Sequence, residues 1–224
     1  MSFCIAVDGP AGAGKSTIAK VVAKKLGIVY VDTGAMYRAM AYYLLNQEVD
    51  FDDTDEISEK CVGADISIQY VDGVQQVILN GENVNAFLRI EAVGKVASKA
   101  SVNGEVRKRL VLLQQRMAEH TDLIMDGRDI GTCVLPNAEL KIYLTASTSI
   151  RAKRRYDELV LKGEPCNLEQ IEAEIIERDY RDMNREISPL KQADDAILLD
   201  TSNMTTDEVI QTILNMPVIK RNYV

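Results

Sequence analysis

The sequence has few of the residues that build metal clusters or disulfide frameworks. Among its 224 residues are four cysteines, which lie far apart at Cys4, Cys61, Cys133 and Cys166, and a single histidine, His120. No two cysteines have the C-x-x-C spacing of zinc sites, and one histidine cannot form a histidine cluster. We therefore expect neither a zinc site nor a disulfide framework. A chain of this length buries enough apolar surface to fold without them.

Long hydrophobic runs and an excess of positive charge are also missing. No segment approaches the roughly 18 consecutive apolar residues of a membrane-spanning helix, and residues 1–10 lack the basic region of a secretory signal. The chain carries 26 Lys and Arg against 34 Asp and Glu, a net charge of −8, whereas nucleic-acid polymers select basic surfaces. We expect a cytoplasmic monomer without a membrane or nucleic-acid polymer as partner. A small anion in a local basic pocket remains compatible with this balance.

What is present is an alternation of short apolar runs with longer segments of helical periodicity. The apolar runs predict buried strands at residues 3–7, 28–31, 123–125, 140–144 and 196–199. The other segments predict helices at 16–26, at 35–45, at 90–119 with an interruption near Asn103, at 150–187 with a break at 163–165, and from about Thr205 onward. This order predicts a parallel sheet with helices on both faces.

A different pattern occupies the middle of the chain. Residues 64–70 and 75–79 alternate between apolar and polar side chains, and Asp72-Gly73 lies between the two runs. An Asp-Gly pair in this position is a strong signal for a tight antiparallel hairpin. We predict a small antiparallel β insert at about residues 62–86.

A glycine-rich segment follows the first predicted strand. Gly9-Pro10-Ala11-Gly12-Ala13-Gly14-Lys15-Ser16 fits the pattern G-x4-G-K-[ST] and opens a helix. Glycines let backbone N–H groups converge on a phosphate, the helix start adds a positive dipole, the lysine adds a cation, and the serine hydroxyl can bind Mg2+. The segment predicts a site for a nucleoside triphosphate and Mg2+, the alternative being a glycine turn of purely structural use. No N-K-x-D segment that would read guanine is present.

Charged residues follow the third predicted strand of the parallel sheet. Asp126-Gly127-Arg128-Asp129 comes directly after residues 123–125. Ligands of parallel α/β sheets bind at the carboxyl ends of central strands, and Asp126 has the position of a carboxylate that orients Mg2+, directly or through water. We predict a ligand site at this strand end. A structural ion pair is the alternative.

Two residues after the second predicted strand have two interpretations each. Thr33 either caps the following helix or binds a ligand, and Arg38 faces either solvent or a phosphate.

Two basic clusters lie in the segment 151–185. The first contains Arg151, Arg154 and Arg155, which form either a solvated helix face or a ligand-binding one. The second has the spacing i, i+3, i+4, i+7, which predicts a single helical face, with the members Arg178, Arg181, Asp182 and Arg185. Beside a phosphate-binding segment this face is typical of a clamp that closes over phosphates. A face of mutually satisfied salt bridges is the alternative.

Four motifs together resemble the bacterial cytidylate kinases, a family of P-loop nucleoside monophosphate kinases. They are Asp8-Gly-Pro-Ala-Gly-Ala-Gly-Lys-Ser-Thr17, Asp32-Thr-Gly-Ala-Met-Tyr-Arg38, Asp126-Gly-Arg-Asp-Ile-Gly-Thr132 and Glu177-Arg-Asp-Tyr-Arg-Asp-Met-Asn-Arg185. Their order and spacing match the family, and the hairpin insert falls where bacterial members have a small extra sheet. The resemblance implies transfer of the γ-phosphoryl group of ATP to CMP or dCMP, which yields ADP and CDP or dCDP.

The resemblance also implies an acceptor site. Its expected residues are Thr33, Arg38, Ser98, Arg107, Arg128, Asp129, Arg178, Asp182 and Arg185. Within this set Ser98, Arg107, Arg128 and Asp129 are expected to read cytosine, Asp182 the ribose hydroxyls, and Arg38, Arg128 and Arg185 the acceptor phosphate. Thr33 stands where some members carry serine, and it keeps the hydroxyl.

We also expect residues that bind ATP, residues that act in catalysis and residues that bind Mg2+. The ATP-binding set is Gly9, Pro10, Ala11, Gly12, Ala13, Gly14, Lys15, Ser16 and Thr17, together with Arg154. Lys15, Arg155, Arg178 and Arg185 are expected to act in catalysis, and Ser16 and Asp126 to bind Mg2+.

These observations predict a P-loop NTPase-type five-stranded parallel sheet with helices on both faces, a small antiparallel insert and a helical lid. The expected regions are a core of residues 1–33, 88–150 and 186–224, an acceptor-binding region of residues 34–87, and a lid of residues 151–185. Two other functions stay open. One is a kinase for a different small acceptor such as UMP, AMP or shikimate, and the other is a nucleotide-dependent switch that hydrolyses ATP slowly without any acceptor.

Overall fold

Strands and helices alternate along most of the chain. The structure is a computed structural model that describes residues 2–223. The strands are β1 Cys4–Asp8, β2 Val29–Asp32, β3 Ile66–Val71, β4 Val74–Leu79, β5 Glu82–Asn83, β6 Leu123–Gly127, β7 Leu140–Thr145 and β8 Ile197–Asp200. The helices are α1 Lys15–Leu26, α2 Thr33–Asn46, α3 Thr54–Lys60, α4 Glu91–Ala100, α5 Gly104–Ala118, α6 Thr148–Leu161, α7 Leu168–Asn184, α8 Thr206–Leu214 and α9 Pro217–Tyr223.

A five-stranded parallel sheet has the strand order β2-β6-β1-β7-β8. Its register places Val7 of β1 opposite Asp126 of β6 and opposite Ile142 of β7. Since these strands run in the same direction, their carboxyl ends meet at one edge, where the glycine-rich segment and residues 126–129 leave the sheet. The predicted parallel sheet with its flanking helices is confirmed, and strand boundaries differ from the predicted ones by one or two residues.

The contacts of the chain define two compact units. The first, called here the P-loop unit, contains residues 3–30 and 122–223, and the second, the insert unit, contains residues 31–121 with Ser2. The chain passes from the first unit to the second within β2, after Tyr30. None of the helices within residues 2–223 is long and apolar enough to cross a membrane.

Helices α1, α8 and α9 bury their apolar faces in the core of the P-loop unit. Ile18 and Val22 of α1 and Ile213 of α8 join Val7 and Ile142 of the sheet in a single apolar cluster. The helix ends have the expected signals: Gly27 ends α1 in the left-handed region with φ 69°, and Thr205 and Glu208 form a capping box before α8. The burial of this face is what fixes α1, and with it the glycine-rich segment, on the sheet.

Helices α6 and α7 form a separate pair within the P-loop unit. They pack through Ala152 of α6 and through Ile171 and Ile175 of α7. The Asn167 side chain caps α7, because it accepts a hydrogen bond from the backbone N–H of Gln170 at 2.9 Å.

The insert unit contains the predicted antiparallel hairpin. Strands β3 and β4 pair from Ile66↔Leu79 to Val71↔Val74, and β5 adds a third, short strand beside β4. Asp72 and Gly73 between the strands have positive φ values of 52° and 73°, as a type I′ turn requires. The hairpin is confirmed, whereas β5 and α3 were not predicted because each is too short to show a periodicity.

Gly9 generates a prediction about stability. It has a φ of +148°, and a Cβ at this position would overlap the carbonyl oxygen of Leu144. We expect Gly9→Ala to lower the free energy of unfolding by at least about 2 kcal/mol in urea denaturation. The matched control is Gly27→Ala, where φ is +69° and a Cβ would meet nothing within 4 Å. This change should cost only the left-handed backbone strain of about 1 kcal/mol. Equal losses in the two variants would contradict the close approach of Gly9 to β7.

Candidate active site

The glycine-rich segment curls around the side chain of Lys15. Its glycines have positive φ values, with Gly9 at 148°, Gly12 at 76° and Gly14 at 92°, a conformation that favours glycine over other residues. Lys15 is the first residue of α1 and is buried. Its Nζ donates hydrogen bonds to the backbone oxygens of Gly9 at 2.7 Å and Pro10 at 2.8 Å. The segment thus forms a closed loop at the positive end of a helix.

Lys15 lies among groups of both charges. Burial lowers the pKa of Lys15 well below its usual range, and the nearby guanidinium of Arg128 adds to that lowering, as does Arg178 to a smaller extent. Asp126 and Asp8 act in the opposite direction. An anionic ligand beside Lys15 would favour its charged form in the same way as these carboxylates do.

Asp126 lies at the end of β6, within reach of the first turn of α1. The hydroxyl of Ser16 donates to its Oδ2 at 2.8 Å, and the hydroxyl of Tyr30 donates to its Oδ1 at 2.7 Å. A hydroxyl and a carboxylate oxygen are hard ligands of the kind that Mg2+ prefers, and Mg2+ commonly takes only one or two protein ligands beside phosphates and water. Ser16 and Asp126 therefore fit a phosphate-bound Mg2+. Within residues 2–223 no group of three or more His, Cys, Asp or Glu forms a metal cluster.

A second carboxylate, Asp8, fixes the chain that follows β6. It is buried, its Oδ1 accepts from the N–H of Ile130 at 2.8 Å, and its Oδ2 accepts from the N–H of Gly131 at 2.7 Å. Burial raises the pKa of Asp8 from 3.8 to about 6, against the lowering effect of the two backbone N–H groups. Asp8 therefore holds Asp129, the residue before Ile130, at the strand edge.

Two ion pairs join the end of β6 to the end of α7. Nε of Arg128 lies 2.8 Å from Oδ2 of Asp182, and Nη2 of Arg185 lies 3.3 Å from Oδ1 of Asp129. All four side chains are at least largely buried, and Nε of Arg185 also donates to the backbone oxygen of Ser188 at 2.6 Å. These contacts place four predicted acceptor residues of the P-loop unit in one network.

The prediction that Arg178, Arg181, Asp182 and Arg185 share one helical face is wrong for Arg185. Helix α7 ends at Asn184, and Arg185 is extended, with φ −64° and ψ 143°. The helix stops because the chain turns back, so that the N–H of Leu190 donates to the backbone oxygen of Asp182 at 2.8 Å. Arg181 is exposed, and its Nε lies 3.8 Å from Glu177.

The three arginines of α6 have three different environments. Arg151 is buried and donates to the backbone oxygen of Ala11 at 2.9 Å and to Oδ2 of Asp179 at 2.6 Å. Arg154 donates to the backbone oxygen of Thr201 at 2.9 Å, and Arg155 is exposed and pairs with Glu158 at 2.9 Å. Arg151 thus connects the glycine loop with α7.

In the insert unit, Thr33 and Arg38 are arranged around Asp32. The interpretation of Thr33 as the helix cap is wrong, because the carboxylate of Asp32 caps α2 by accepting from the N–H of Ala35 at 2.9 Å. Thr33 is the first helical residue and is buried. The other oxygen of Asp32 lies 3.3 Å from Nη2 of Arg38. Nε of Arg38 is buried and has no hydrogen-bond partner among the described residues, as expected of a guanidinium that serves a ligand.

Arg107 and Ser98 lie elsewhere in the insert unit. Arg107 is buried, its guanidinium lies 5.9 Å from the centre of the Tyr37 ring, and its Nη1 donates to the backbone oxygen of Ser101 at 3.4 Å. Ser98 is half-buried on α4, and its backbone oxygen accepts from the hydroxyl of Ser101 at 2.9 Å. The structure thus connects these two predicted cytosine readers through Ser101.

Comparison with known proteins decides the family. The family model described as "Cytidylate kinase" matches residues 5–218 of the chain. The chain belongs to the cytidylate kinase family. Curated relatives include the cytidylate kinase of Caldicellulosiruptor saccharolyticus, which is 50% identical over 212 residues, or 95% of this chain and 94% of the relative. The cytidylate kinase of Bacillus cereus is 48% identical over the same shares of both chains.

A solved structure supports the fold alone. An uncharacterized protein from Eubacterium ventriosum aligns with 99% of this chain and with 100% of its own, with a TM-score of 0.52 and 13% sequence identity. The two proteins therefore share the arrangement of sheet and helices. At this sequence identity the likeness carries no information on the substrate.

In this cytidylate kinase family member, several contacts at the site lay outside the sequence-based expectations. Asp8 begins the first of the four motifs, but no function was predicted for it. A charged residue at the end of an apolar strand could have indicated one. Tyr30 and Arg151 gave no such signal, because their partners Asp126 and Asp179 are far away in the sequence.

The raised pKa of Asp8 predicts a pH dependence of stability. The folded chain binds this proton more tightly than the unfolded chain, where the pKa is near 3.8. The stabilisation is therefore complete below about pH 4 and is lost as the pH rises through about 6. We expect the free energy of unfolding of the unmodified chain, relative to Asp8→Asn, to fall by about 3 kcal/mol between about pH 4 and pH 7. Urea denaturation at intervals across this range measures the difference. A pH-independent difference would show that Asp8 is not buried in this way.

Proposed function

We propose that this chain transfers the γ-phosphoryl group of ATP to CMP or dCMP, giving ADP and CDP or dCDP. The observation that carries this conclusion is the match to the cytidylate kinase family over residues 5–218. As a member of that family, the chain is a nucleoside monophosphate kinase with ATP as its phosphoryl donor. The closed glycine loop, with Lys15 at its centre, is the structural feature that agrees with a nucleoside triphosphate as one substrate.

The donor phosphates bind at the glycine loop. In this proposal the backbone of residues 9–17 surrounds them, the N-terminus of α1 adds its dipole, and Lys15 and Arg154 contribute positive charge. Lys15 exchanges its hydrogen bonds with the carbonyl oxygens of Gly9 and Pro10 for bonds with phosphate oxygens. The burial of Lys15 supports this role, because a buried cation interacts more strongly with an anion than an exposed one does.

The hydroxyl of Ser16 would hold Mg2+, and Asp126 would bind it directly or through a water. When bound, the ion supplies positive charge that offsets the charge of the phosphates. The 2.8 Å hydrogen bond between Ser16 and Asp126 supports this assignment, since it places both oxygens at one spot. Tyr30, which donates to the other oxygen of Asp126 at 2.7 Å, keeps that carboxylate oriented.

The residues proposed for the acceptor nucleotide fall into two sets, one from each unit. In the insert unit Arg38 binds the acceptor phosphate, Ser98 and Arg107 read cytosine, and Thr33 belongs to the same acceptor site. The orphaned Nε of Arg38 supports the first of these roles. In the P-loop unit Arg128 and Asp129 read cytosine, and Asp182 binds the ribose hydroxyls. Arg128 and Arg185 bind the acceptor phosphate, and Arg178 belongs to the same acceptor site. Two ion pairs among four of them support this assignment, because they join the end of β6 to the end of α7.

Three regions follow from this assignment. The proposed regions are a core of residues 1–33, 88–150 and 186–224, an acceptor-binding region of residues 34–87, and a lid of residues 151–185 that carries Arg155 and Arg178. Thr33, Ser98 and Arg107 contribute to the acceptor site from outside residues 34–87. Phosphoryl transfer needs two polyanions aligned and their charge neutralised, with water kept out. Lys15, Arg155, Arg178 and Arg185 provide the neutralising charge.

A panel of acceptors tests the proposal. In a coupled assay of ADP release with Mg2+ and ATP, we expect rapid turnover with CMP and dCMP and much slower turnover with UMP, AMP and shikimate. Cytosine-reading side chains reject the other acceptors because buried polar groups would lose their hydrogen bonds. Equal ADP release with and without an acceptor would instead indicate a nucleotide-dependent switch, and preference for another acceptor would replace the proposed substrate.

Loss of single cations tests the catalytic assignments. We expect Lys15→Ala and Arg185→Ala each to lower kcat by about 10²–10³-fold, because each removes a charged donor to the transferring or acceptor phosphate. Matched controls are Lys24→Ala, an exposed residue in the last turn of α1, and Arg221→Ala, an exposed residue of α9, neither of which should change kcat. Circular dichroism checks that the variants fold. Unchanged kcat in a folded Lys15→Ala or Arg185→Ala variant removes that residue from the mechanism.

A further inference from the structure

The side chain of Gln75, in the insert sheet, is paired with the backbone of Asp32. The N–H of Asp32 donates to Oε1 of Gln75 at 2.8 Å, and Nε2 of Gln75 donates to the backbone oxygen of Asp32 at 3.2 Å. Both residues belong to the insert unit. One amide side chain thus satisfies both backbone groups of a single residue, as a neighbouring strand would.

Asp32 is the residue that orients Arg38. One of its carboxylate oxygens accepts from the N–H of Ala35 at 2.9 Å, and the other lies 3.3 Å from Nη2 of Arg38. The packing leaves little room for adjustment, because a Cβ on Gly34 would lie 3.2 Å from Asp32 Oδ1 and 3.3 Å from Arg38 Nη1. A displacement of the Asp32 backbone is therefore passed on to the guanidinium.

Gln75 is itself held in place by the insert sheet. Its backbone pairs with Tyr70 of β3 in the antiparallel register. Nδ2 of Asn85 donates to the backbone oxygen of Gln75 at 2.9 Å, while Oδ1 of Asn85 accepts from the N–H of Val77 at 2.8 Å. The amide of Gln75 therefore projects from a fixed backbone, and the insert sheet serves as its support.

We propose that Gln75 is a positioning residue for the acceptor phosphate, acting through Asp32 and Arg38. The insert sheet then contributes to the acceptor site through this one side chain. The inference rests on the proposed function, in which Arg38 binds the acceptor phosphate. Its physical basis is that catalytic geometry tolerates little displacement. The two hydrogen bonds that hold the backbone of Asp32 therefore also determine how well Arg38 contacts the phosphate.

The test compares two neighbouring glutamines of β4. Gln75→Leu removes both hydrogen bonds to Asp32, whereas Gln76→Leu changes a side chain that accepts from the exposed Asn83 amide at 2.8 Å. Because Asp32 and Arg38 can then shift from the geometry that binds the acceptor phosphate, we expect Gln75→Leu to raise KM for CMP about tenfold. KM for ATP should stay within about twofold of the unmodified value. Gln76→Leu should leave both constants unchanged.

A double-mutant cycle separates positioning from a general structural role. If Gln75 acts through Arg38, then adding Gln75→Leu to Arg38→Met should change kcat/KM for CMP less than about twofold. The value of kcat/KM is the slope of the rate against CMP concentration well below KM, and it stays measurable in variants that bind CMP weakly. Should Gln75→Leu fail to fold by circular dichroism, the isosteric Gln75→Glu against Gln76→Glu replaces it. This change keeps one acceptor for the Asp32 N–H and loses the donor, so an intermediate rise in KM for CMP is expected.

The outcomes distinguish the two levels of inference. An unmodified chain that does not phosphorylate CMP overturns the proposed function. An active chain in which the Gln75 variants raise KM for CMP no more than the Gln76 variants overturns the role of Gln75. The role of Gln75 is also overturned if Gln75→Leu lowers kcat/KM for CMP as much in the Arg38→Met variant as it does in the unmodified chain.

Discussion

The register between β1 and β6 decides where the charged groups of the P-loop unit lie. Val7 lies opposite Asp126 and Asp8 opposite Gly127, so both carboxylates reach the same edge of the sheet. The chain leaves that edge twice, once into the glycine loop and once towards Arg128. A shift of this pairing by one residue would reverse the side-chain directions of a whole strand. It would also separate Ser16 from Asp126, which are 2.8 Å apart in the present register.

Charge compensation within the P-loop unit explains how an acidic chain keeps a cationic site. Arg128 and Arg185 are paired with Asp182 and Asp129, so these largely buried guanidiniums are not left uncompensated. Breaking such a pair is costly, because each buried ion needs a partner. A nucleotide phosphate is itself an anion, and it can take over a guanidinium only by competing with a carboxylate. A ligand with several charges competes with these carboxylates better than a singly charged one does, because its attractions to the guanidiniums add up.

Much of the fold followed from local patterns, whereas long-range partners did not. Strands β1–β4 and β6–β8 and the Asp72-Gly73 turn depend on neighbouring residues, and they were predicted. The cap of α2 was misassigned because Asp32 and Thr33 both have cap-forming side chains. Arg185 was misplaced because helical spacing was continued past the point at which the chain turns back.

Other parts of the site could not be found from spacing. The partners of Asp8, Tyr30 and Arg151 lie in other elements, far away in the sequence. Likewise, Gln75 of β4 contacts Asp32, the residue at which β2 ends and α2 begins. Such contacts depend on the packing of elements, and a single sequence does not state which side chains the packing brings together. The motifs located the phosphate-binding loop, and the structure adds the residues that hold it.

The bridge made by Arg151 has a thermodynamic consequence for the two substrates. Its guanidinium joins the backbone of Ala11 in the glycine loop to Asp179 of α7, three residues before Asp182. A ligand that displaces the loop would act through these contacts on α7, the helix that carries Asp182. By linkage, the factor by which one nucleotide changes the dissociation constant of the other is the same in both directions. The coupling itself therefore favours neither nucleotide, and a preferred order of addition depends on their separate affinities and rates.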